Sequence, residues 1–426
     1  MRYVVVGAGP AGVVGAETLR KIDPTGTVTL IGGEPEVPYS RMAIPYLLEG
    51  NIDEAGTHLR HDPEHYRKAG IEVLQGKRVT KVDTQGQQVT LDDGQQVPYD
   101  KLLLATGSRP LQPPIPGVDQ EGIYPCWTLA HAREIKSRLG EGKHVVLIGA
   151  GFIGSIILDA IGSQSMTLTV VEAETHMTPR MMNEAGGGVM KAWCASKGVQ
   201  VLTSTRVNSI EAGGERRFTL QLDSGQALPA DVVVTATGVK PILDYLEGSG
   251  IKTDEGILVN EFLQTSDPNV YAAGDTAQGL NFSTGGFSVH AIQPTATEHG
   301  QIAALNMAGK SAKYKGSLIM NVIALLGLTT YSFGQWMGVE GGEHGEWLDE
   351  ANHRYIRLEF KDDVLVGAIH IGQFEQVGIL RGMIQNRIPL GQWKDMLKAE
   401  PTRIMDAYLG LTDYGKKIPI MPLAAG

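Results

Sequence analysis

Two glycine triplets carry the chemistry most readable in this sequence. Gly7, Gly9 and Gly12, with Pro10 and Ala11 among them, follow the short apolar run Tyr3 to Val6 and open a small-residue segment of helical character. Gly149, Gly151 and Gly154, with Phe152 and Ile153 among them, follow Val145 to Ile148 in the same way. A strand that stops at such a turn and resumes as a helix is built for phosphate. The first Gly makes the turn, the second lets backbone approach a pyrophosphate, and the third lets the helix lie close on its strand. The helix N-terminus adds free amides and the positive end of a dipole, so an anionic dinucleotide is the natural guest. One such turn also occurs without a ligand, and the second copy is what gives the first its weight.

In dinucleotide folds an acid about 20 residues beyond the last Gly holds the ribose hydroxyls. Glu34, after an expected strand from Thr27 to Ile31, stands near that distance, either as a ribose ligand or as a solvated loop carboxylate. Glu172 ends the expected strand Leu168 to Val171, where that mechanism wants the acid. A carboxylate there bonds the adenosine ribose of NADH and repels the extra phosphate of NADPH, so NADH is the expected donor in preference to NADPH.

The elements that position these groups repeat. Alternating strands from Ile71 to Tyr99 precede the buried run Leu102 to Leu104, which closes on Ala105, Thr106 and Gly107. The hairpin Thr205 to Leu228 precedes Val232 to Thr235, which closes on Ala236, Thr237 and Gly238. Strand, Gly turn, helix, acid, hairpin, buried strand and Ala-Thr-Gly therefore occur twice, which means two related nucleotide-binding domains. Pro113, Pro114 and Pro116 read as a stiff connector between them. A further strand is expected over Thr253 to Val259, and another from Val270 that ends at Gly274 and Asp275. A helix begins at Gln293, Pro294 and Thr295 and runs to Met307, with Pro suited to its first turn. Pro38 to Tyr46 reads as loop and short helix facing a flat aromatic ligand, and Asp62 to Ala69 as helical. From Lys315 the pattern becomes α+β, with strands Ser317 to Leu325, Leu328 to Phe333, Tyr355 to Phe360 and Val364 to Ile371. Helices are expected at Gln376 to Gln385 and Gln392 to Leu409.

The formal charge of −10 argues against nucleic acid and against an anionic membrane surface as partners. No apolar run approaches the roughly 20 residues of a spanning helix, and the N-terminus enters its first strand without a secretory leader, so a cytoplasmic protein is expected. Cys126 and Cys194 lie too far apart in sequence for a zinc spacing and read as buried thiols. His58, His61 and His65 recur at helical spacing, but Pro63 interrupts it and no metal is expected. Glu343, His344 and Glu346 read as a solvated Gly-rich loop.

The paired turns, Ala105 to Gly107, Ala236 to Gly238 and Tyr271 to Asp275 together resemble the pyridine nucleotide-disulfide oxidoreductase superfamily of flavoprotein reductases. The resemblance implies an α/β fold of two Rossmann-like dinucleotide-binding domains, glutathione-reductase-like, with a C-terminal α+β domain. Residues 1–115 and 235–312 would bind FAD, 116–234 would bind NAD(P)H, and 313–426 would form the interface of a homodimer. Gly7, Gly9, Pro10, Ala11 and Gly12 would cradle the FAD pyrophosphate, with Glu34, Arg41, Ala105, Thr106 and Gly107 also around the cofactor. Asp275 would bond the ribityl chain, with Gly274 beside it among the cofactor-binding residues, and Pro294 and Thr295 would aim a helix N-terminus at the flavin pyrimidine. Gly149, Gly151, Phe152, Ile153, Gly154 and Glu172 would serve the nicotinamide nucleotide, and Thr237 and Gly238 are further cofactor-binding candidates.

Within the superfamily the chain looks most like the branch of coenzyme A-disulfide reductases, NADH oxidases, rubredoxin reductases and the reductase portion of nitrite reductases. Disulfide-reducing members carry a redox Cys where this chain has Met42, and a thioether cannot become a thiolate. Ferredoxin-reductase-like members carry Lys in the slot of Tyr46 and Glu in the slot of Ile156. Arg41 and Tyr46 are the residues expected at the reacting centre, with an ion pair an equal reading for Arg41. The expected activity is electron transfer from NADH through FAD to an external acceptor, an iron-sulfur protein or a companion redox subunit, without a protein thiol. Two alternatives stay open: an FAD enzyme acting directly on a small molecule, and a flavoprotein subunit of a larger complex with weak or no NAD(P)H turnover.

Overall fold

The computed structural model describes residues 1–162, 165–372 and 377–411. Two compact units emerge: Met1–Pro113, Tyr124–Arg138 and Thr237–Ser317 form the first, and Pro114–Ile123, Leu139–Ala236 and Leu318–Gly426 the second.

The first unit is organised on a five-stranded parallel sheet. Its order is Val270–Ala272, Lys101–Leu104, Arg2–Val6, Thr27–Gly32, Ile71–Gln75. These strands are short β-branched or leucine runs because parallel sheets are covered on both faces. Val5, Leu102, Leu103 and Leu104 are fully buried. On one another pack the helices Pro10–Ile22 and Gln293–Met307, whose close approach depends on small residues. A Cβ on Gly300 would fall 2.1 Å from the Ala11 carbonyl oxygen, so no side chain fits at that crossing. The expected hairpins of this unit form a three-stranded antiparallel sheet, Val79–Asp83, Gln88–Leu91 and Gln96–Pro98. Two expectations shrink. The helix over Asp62 to Ala69 is one turn, His65–Lys68, because Pro63 holds Asp62 away from helical backbone. The strand over Thr253 to Val259 is Ile257–Leu258 alone.

The second unit repeats the plan. His144–Ile148 lies between Thr167–Val171 and Val232–Thr235 in parallel, and Val207–Ala212, Phe218–Leu222 and Ala227–Ala230 form its antiparallel sheet. A five-stranded antiparallel sheet completes it, in the order Met320–Leu325, Leu328–Gly334, Val364–Ile371, Arg354–Lys361, Glu343–Asp349. The last of these corrects the sequence reading, which took Glu343, His344 and Glu346 for a solvated loop. They lie on a strand. Glu343 is paired with Lys394 and Lys398, and Glu346 accepts from Tyr355 and Arg357. The helix expected over Gln392 to Leu409 is likewise three pieces, Trp393–Ala399, the 3-10 turn Pro401–Arg403 and Ile404–Leu411. Pro401 has no N–H to continue the ladder, and it forces the break. Val377–Gln385 is helical as expected, with Gln376 outside the described residues. The end of the expected third domain, residues 412–426, lies outside them too.

Candidate functional site

Three turns of the first unit gather at the carboxyl ends of three neighbouring parallel strands, the place where open α/β sheets bind ligands. Arg2–Val6 ends at Gly7, Lys101–Leu104 at Ala105, and Val270–Ala272 at Ala273 and Gly274. Each glycine of the first triplet has its own reason. Gly7 has φ +114 and leaves no room, since a Cβ would lie 2.0 Å from the Ala105 oxygen. At Gly12 a Cβ would lie 1.8 Å from the Gly7 oxygen. At Gly9 a Cβ would meet nothing within 4 Å. Gly9 thus faces open space at the head of a helix it caps without a side chain, with Pro10 and Ala11 in the first turn. A cradle that is closed behind and open in front fits a pyrophosphate.

Asp275 follows in the 3-10 turn Gly274–Thr276, and the Ser108 hydroxyl donates to its Oδ2 at 2.9 Å. Burial raises the Asp275 carboxyl above its ordinary value, against the lowering effect of that hydrogen bond. Thr106 shares its Oγ1 with the Tyr245 hydroxyl at 3.0 Å, and Gly107 takes φ +69. The Thr295 hydroxyl meets Ser317 Oγ at 2.8 Å in the first turn of its helix, where Pro294 also sits.

Glu34 and Arg41 come together. Arg41 donates to Glu34 Oε1 at 2.7 Å, and the Tyr39 hydroxyl donates to Oε2 at 2.7 Å, so Glu34 is not a plain solvated carboxylate. The Arg41 guanidinium also lies 5.0 Å from the centre of the Trp127 ring, and the Trp127 indole N–H donates to the Ser108 carbonyl at 3.1 Å. The ion-pair reading of Arg41 is therefore what this geometry contains. Tyr46 and Met42 are 54% and 47% exposed. Tyr39, Ser108 and Trp127 escaped the sequence reading. Ser108 follows Ala-Thr-Gly directly and could have been included, whereas nothing local marks Trp127.

In the second unit the Gly149 turn reproduces the first. Gly149 has φ +102, a Cβ on Gly154 would lie 2.1 Å from its oxygen, and a Cβ on Gly151 would meet nothing within 4 Å. Phe152 and Ile153 start the helix Phe152–Gly162, half-buried, as is Ile156. Glu172 is 7% exposed, and its carboxylate accepts the Ala150 N–H at 2.6 Å and the Glu174 N–H at 2.9 Å. This acid is locked to the turn it serves. Thr237 and Gly238 belong to the first unit, where the Thr237 hydroxyl donates to the Leu111 carbonyl at 3.0 Å.

Both cysteines are buried, and burial pushes each thiol up to about 12, so neither is a thiolate at neutral pH. No group of three or more metal-ligating side chains occurs among the described residues, and His65 is paired with Glu17. No helix among them is long and apolar enough to cross a membrane.

Residues 1–302 match the family model described as pyridine nucleotide-disulphide oxidoreductase, and residues 320–388 match the rubredoxin NAD+ reductase C-terminal domain. Subunit epsilon of an NADH-dependent phenylglyoxylate dehydrogenase from Aromatoleum evansii is 32% identical, over 95% of this chain and 96% of its own. An NADH oxidase from Methanocaldococcus jannaschii is 32% identical over 74% of this chain and 71% of its own. Among solved structures, an NAD-dependent persulfide reductase from A. fulgidus superposes with a TM-score of 0.84 at 27% identity, covering 92% of this chain and 78% of that one.

Proposed function

The chain belongs to the pyridine nucleotide-disulphide oxidoreductase family, and from that premise we propose an FAD-dependent NAD(P)H oxidoreductase that passes electrons from NADH to an external redox partner. The observation that carries the reading is the duplicated cradle. Gly7, Gly9 and Gly12, with Ala105 to Gly107 and Asp275 beside them, form one dinucleotide site, and Gly149, Gly151 and Gly154 with Glu172 form another.

When bound, FAD supplies the exchange between two-electron and one-electron carriers. The chain's own residues hold it: the open amides behind Gly9 receive pyrophosphate, Asp275 accepts from a ribityl hydroxyl, and Arg41 stays fixed by Glu34 and Trp127. Glu172 accepts the adenosine ribose hydroxyls of NADH and repels the phosphate of NADPH. No protein thiol takes part, since Met42 fills the redox slot and both Cys thiols are buried and protonated. We place FAD on residues 1–115 and 235–312, the nicotinamide nucleotide on 116–234, and a homodimer interface on 313–426, in a cytoplasmic protein.

A second reading is favoured by the end-to-end match to a protein named as one subunit of a dehydrogenase. In it the acceptor or donor is a companion redox subunit rather than a free iron-sulfur protein. Anaerobic mixing of the FAD-loaded protein with NADH tests both. Prompt loss of flavin absorbance is the expected outcome, and a spectrum unchanged by NADH would rule out the reductase. Reduction that is reoxidised by cytochrome c or ferricyanide, and not by oxygen, points to a one-electron partner.

A further inference from the structure

His299 lies on the helix Gln293–Met307, one turn after Thr295 and next to the Gly300 crossing. It is 1% exposed. The Gly274 N–H lies 3.3 Å from its Nδ1. A backbone N–H can only donate, so Nδ1 is the acceptor and the ring proton belongs to Nε2. That Nε2 is buried and has no hydrogen-bond partner among the described residues. The ring is held edge-on to Tyr314, with centroids 4.5 Å apart, and the Tyr314 hydroxyl in turn reaches Ser317 Oγ, the partner of Thr295.

A buried imidazole with one nitrogen orphaned is a costly choice for mere packing, because an apolar side chain would fill the space without desolvating a donor. What the ring does offer is one acceptor aimed at one amide. Gly274 has φ +72, and a Cβ there would come 3.2 Å from Ala11 Cβ, so the turn is pressed onto the helix that follows the first Gly triplet. The next residue is Asp275. Its carboxylate is steadied from the other side by the Ser108 hydroxyl.

We infer that His299 is a positioning residue for the flavin: through Nδ1 it fixes the Gly274 amide and so the orientation of Asp275 toward the cofactor. Burial, with His290 adding to it, lowers the His299 pKa to about 3, so the ring stays a neutral acceptor throughout the working pH range. This rests on the reading of the first unit as the FAD site.

The test is FAD binding by apoprotein, followed by flavin fluorescence and the visible absorption bands. In His299→Leu the dissociation constant rises about tenfold and the bands shift, the equivalent of one lost hydrogen bond. His299→Gln, whose amide oxygen can replace Nδ1, restores affinity to within about threefold. Far-ultraviolet circular dichroism controls for folding. If His299→Leu does not fold, nitrogen-15 spectra of the wild-type imidazoles decide, with the resonance assigned from His299→Gln. An Nε2–H tautomer that shifts when FAD is removed supports the inference, and an Nδ1–H tautomer overturns it. A wild-type apoprotein that takes up no FAD sinks the flavin reading and this inference together. Wild-type binding matched by His299→Leu sinks this inference alone.

Discussion

Gly9 and Gly12 are both glycine, three residues apart, and they separate ligand binding from folding. A Cβ at Gly9 projects into open space and a Cβ at Gly12 into the Gly7 carbonyl. Gly9→Ala should cost the apoprotein no more than about 1 kcal/mol, the loss of Gly at an N-cap, while weakening FAD binding at least tenfold. Gly12→Ala should lower stability by roughly 2 kcal/mol or more, although alanine is the better helix former elsewhere. Urea melts and FAD titrations of the two apoproteins check both halves, and equal behaviour would contradict the assignment of the open side to pyrophosphate. Glu172 carries a similar division of labour. Glu172→Gln keeps an oxygen for the Ala150 N–H but removes the charge, so the kcat/KM ratio of NADPH to NADH should rise about tenfold, or about 1.4 kcal/mol. A ratio that does not move would leave nucleotide choice to other residues. These positions were legible because their chemistry is local, a turn and the acid behind it. Trp127 and His299 were not, because each acts on a residue far along the chain: Trp127 on Ser108, His299 on Gly274.

At the scale of elements, the sequence was most legible where one physical demand governed a whole segment. The parallel strands had to be apolar throughout, and Val232–Thr235 and Val364–Ile371 were read to the residue. Segments serving two demands were misread. The Glu343–Asp349 strand contains Gly345 and three charges, so it looks like a loop, yet it is the edge of its sheet and each feature has a structural use. Charged edges discourage further strand pairing. Gly345 is where another backbone comes close: a Cβ there would sit 2.7 Å from the Leu397 oxygen. Gly345→Val, a substitution that β propensity alone would favour, should therefore destabilise the protein by about 2 kcal/mol or more. A urea midpoint at or above wild type would show that the helix Trp393–Ala399 does not depend on this approach.

For the whole molecule, two imidazoles held neutral by burial contribute to acid sensitivity. His370 in the C-terminal sheet is fully buried, both ring nitrogens lack partners among the described residues, and burial lowers its pKa to about 4. His299 in the first unit is lowered to about 3. In the unfolded chain each titrates near 6.5. Between those values the unfolded state binds the proton and the folded state does not, so protonation favours unfolding as pH falls below about 6.5. Above it neither state is protonated and the contribution is flat. Each imidazole adds at most about 1.4 kcal/mol per pH unit to the slope. Asp275, Glu359 and Asp159, raised by burial, act in the opposite sense, because their folded forms hold protons that the unfolded chain has released. A single melt therefore reports a sum, and the difference between two proteins isolates one group. Stability of the FAD-loaded wild type should fall from pH 6.5 to pH 5, and His370→Leu should remove about 1 kcal/mol per pH unit of that fall while leaving the carboxylates in place. Urea melts of both proteins at the two pH values measure the difference. Parallel curves would mean that His370 finds a proton-accepting partner in the folded state and is not held neutral by its sheet.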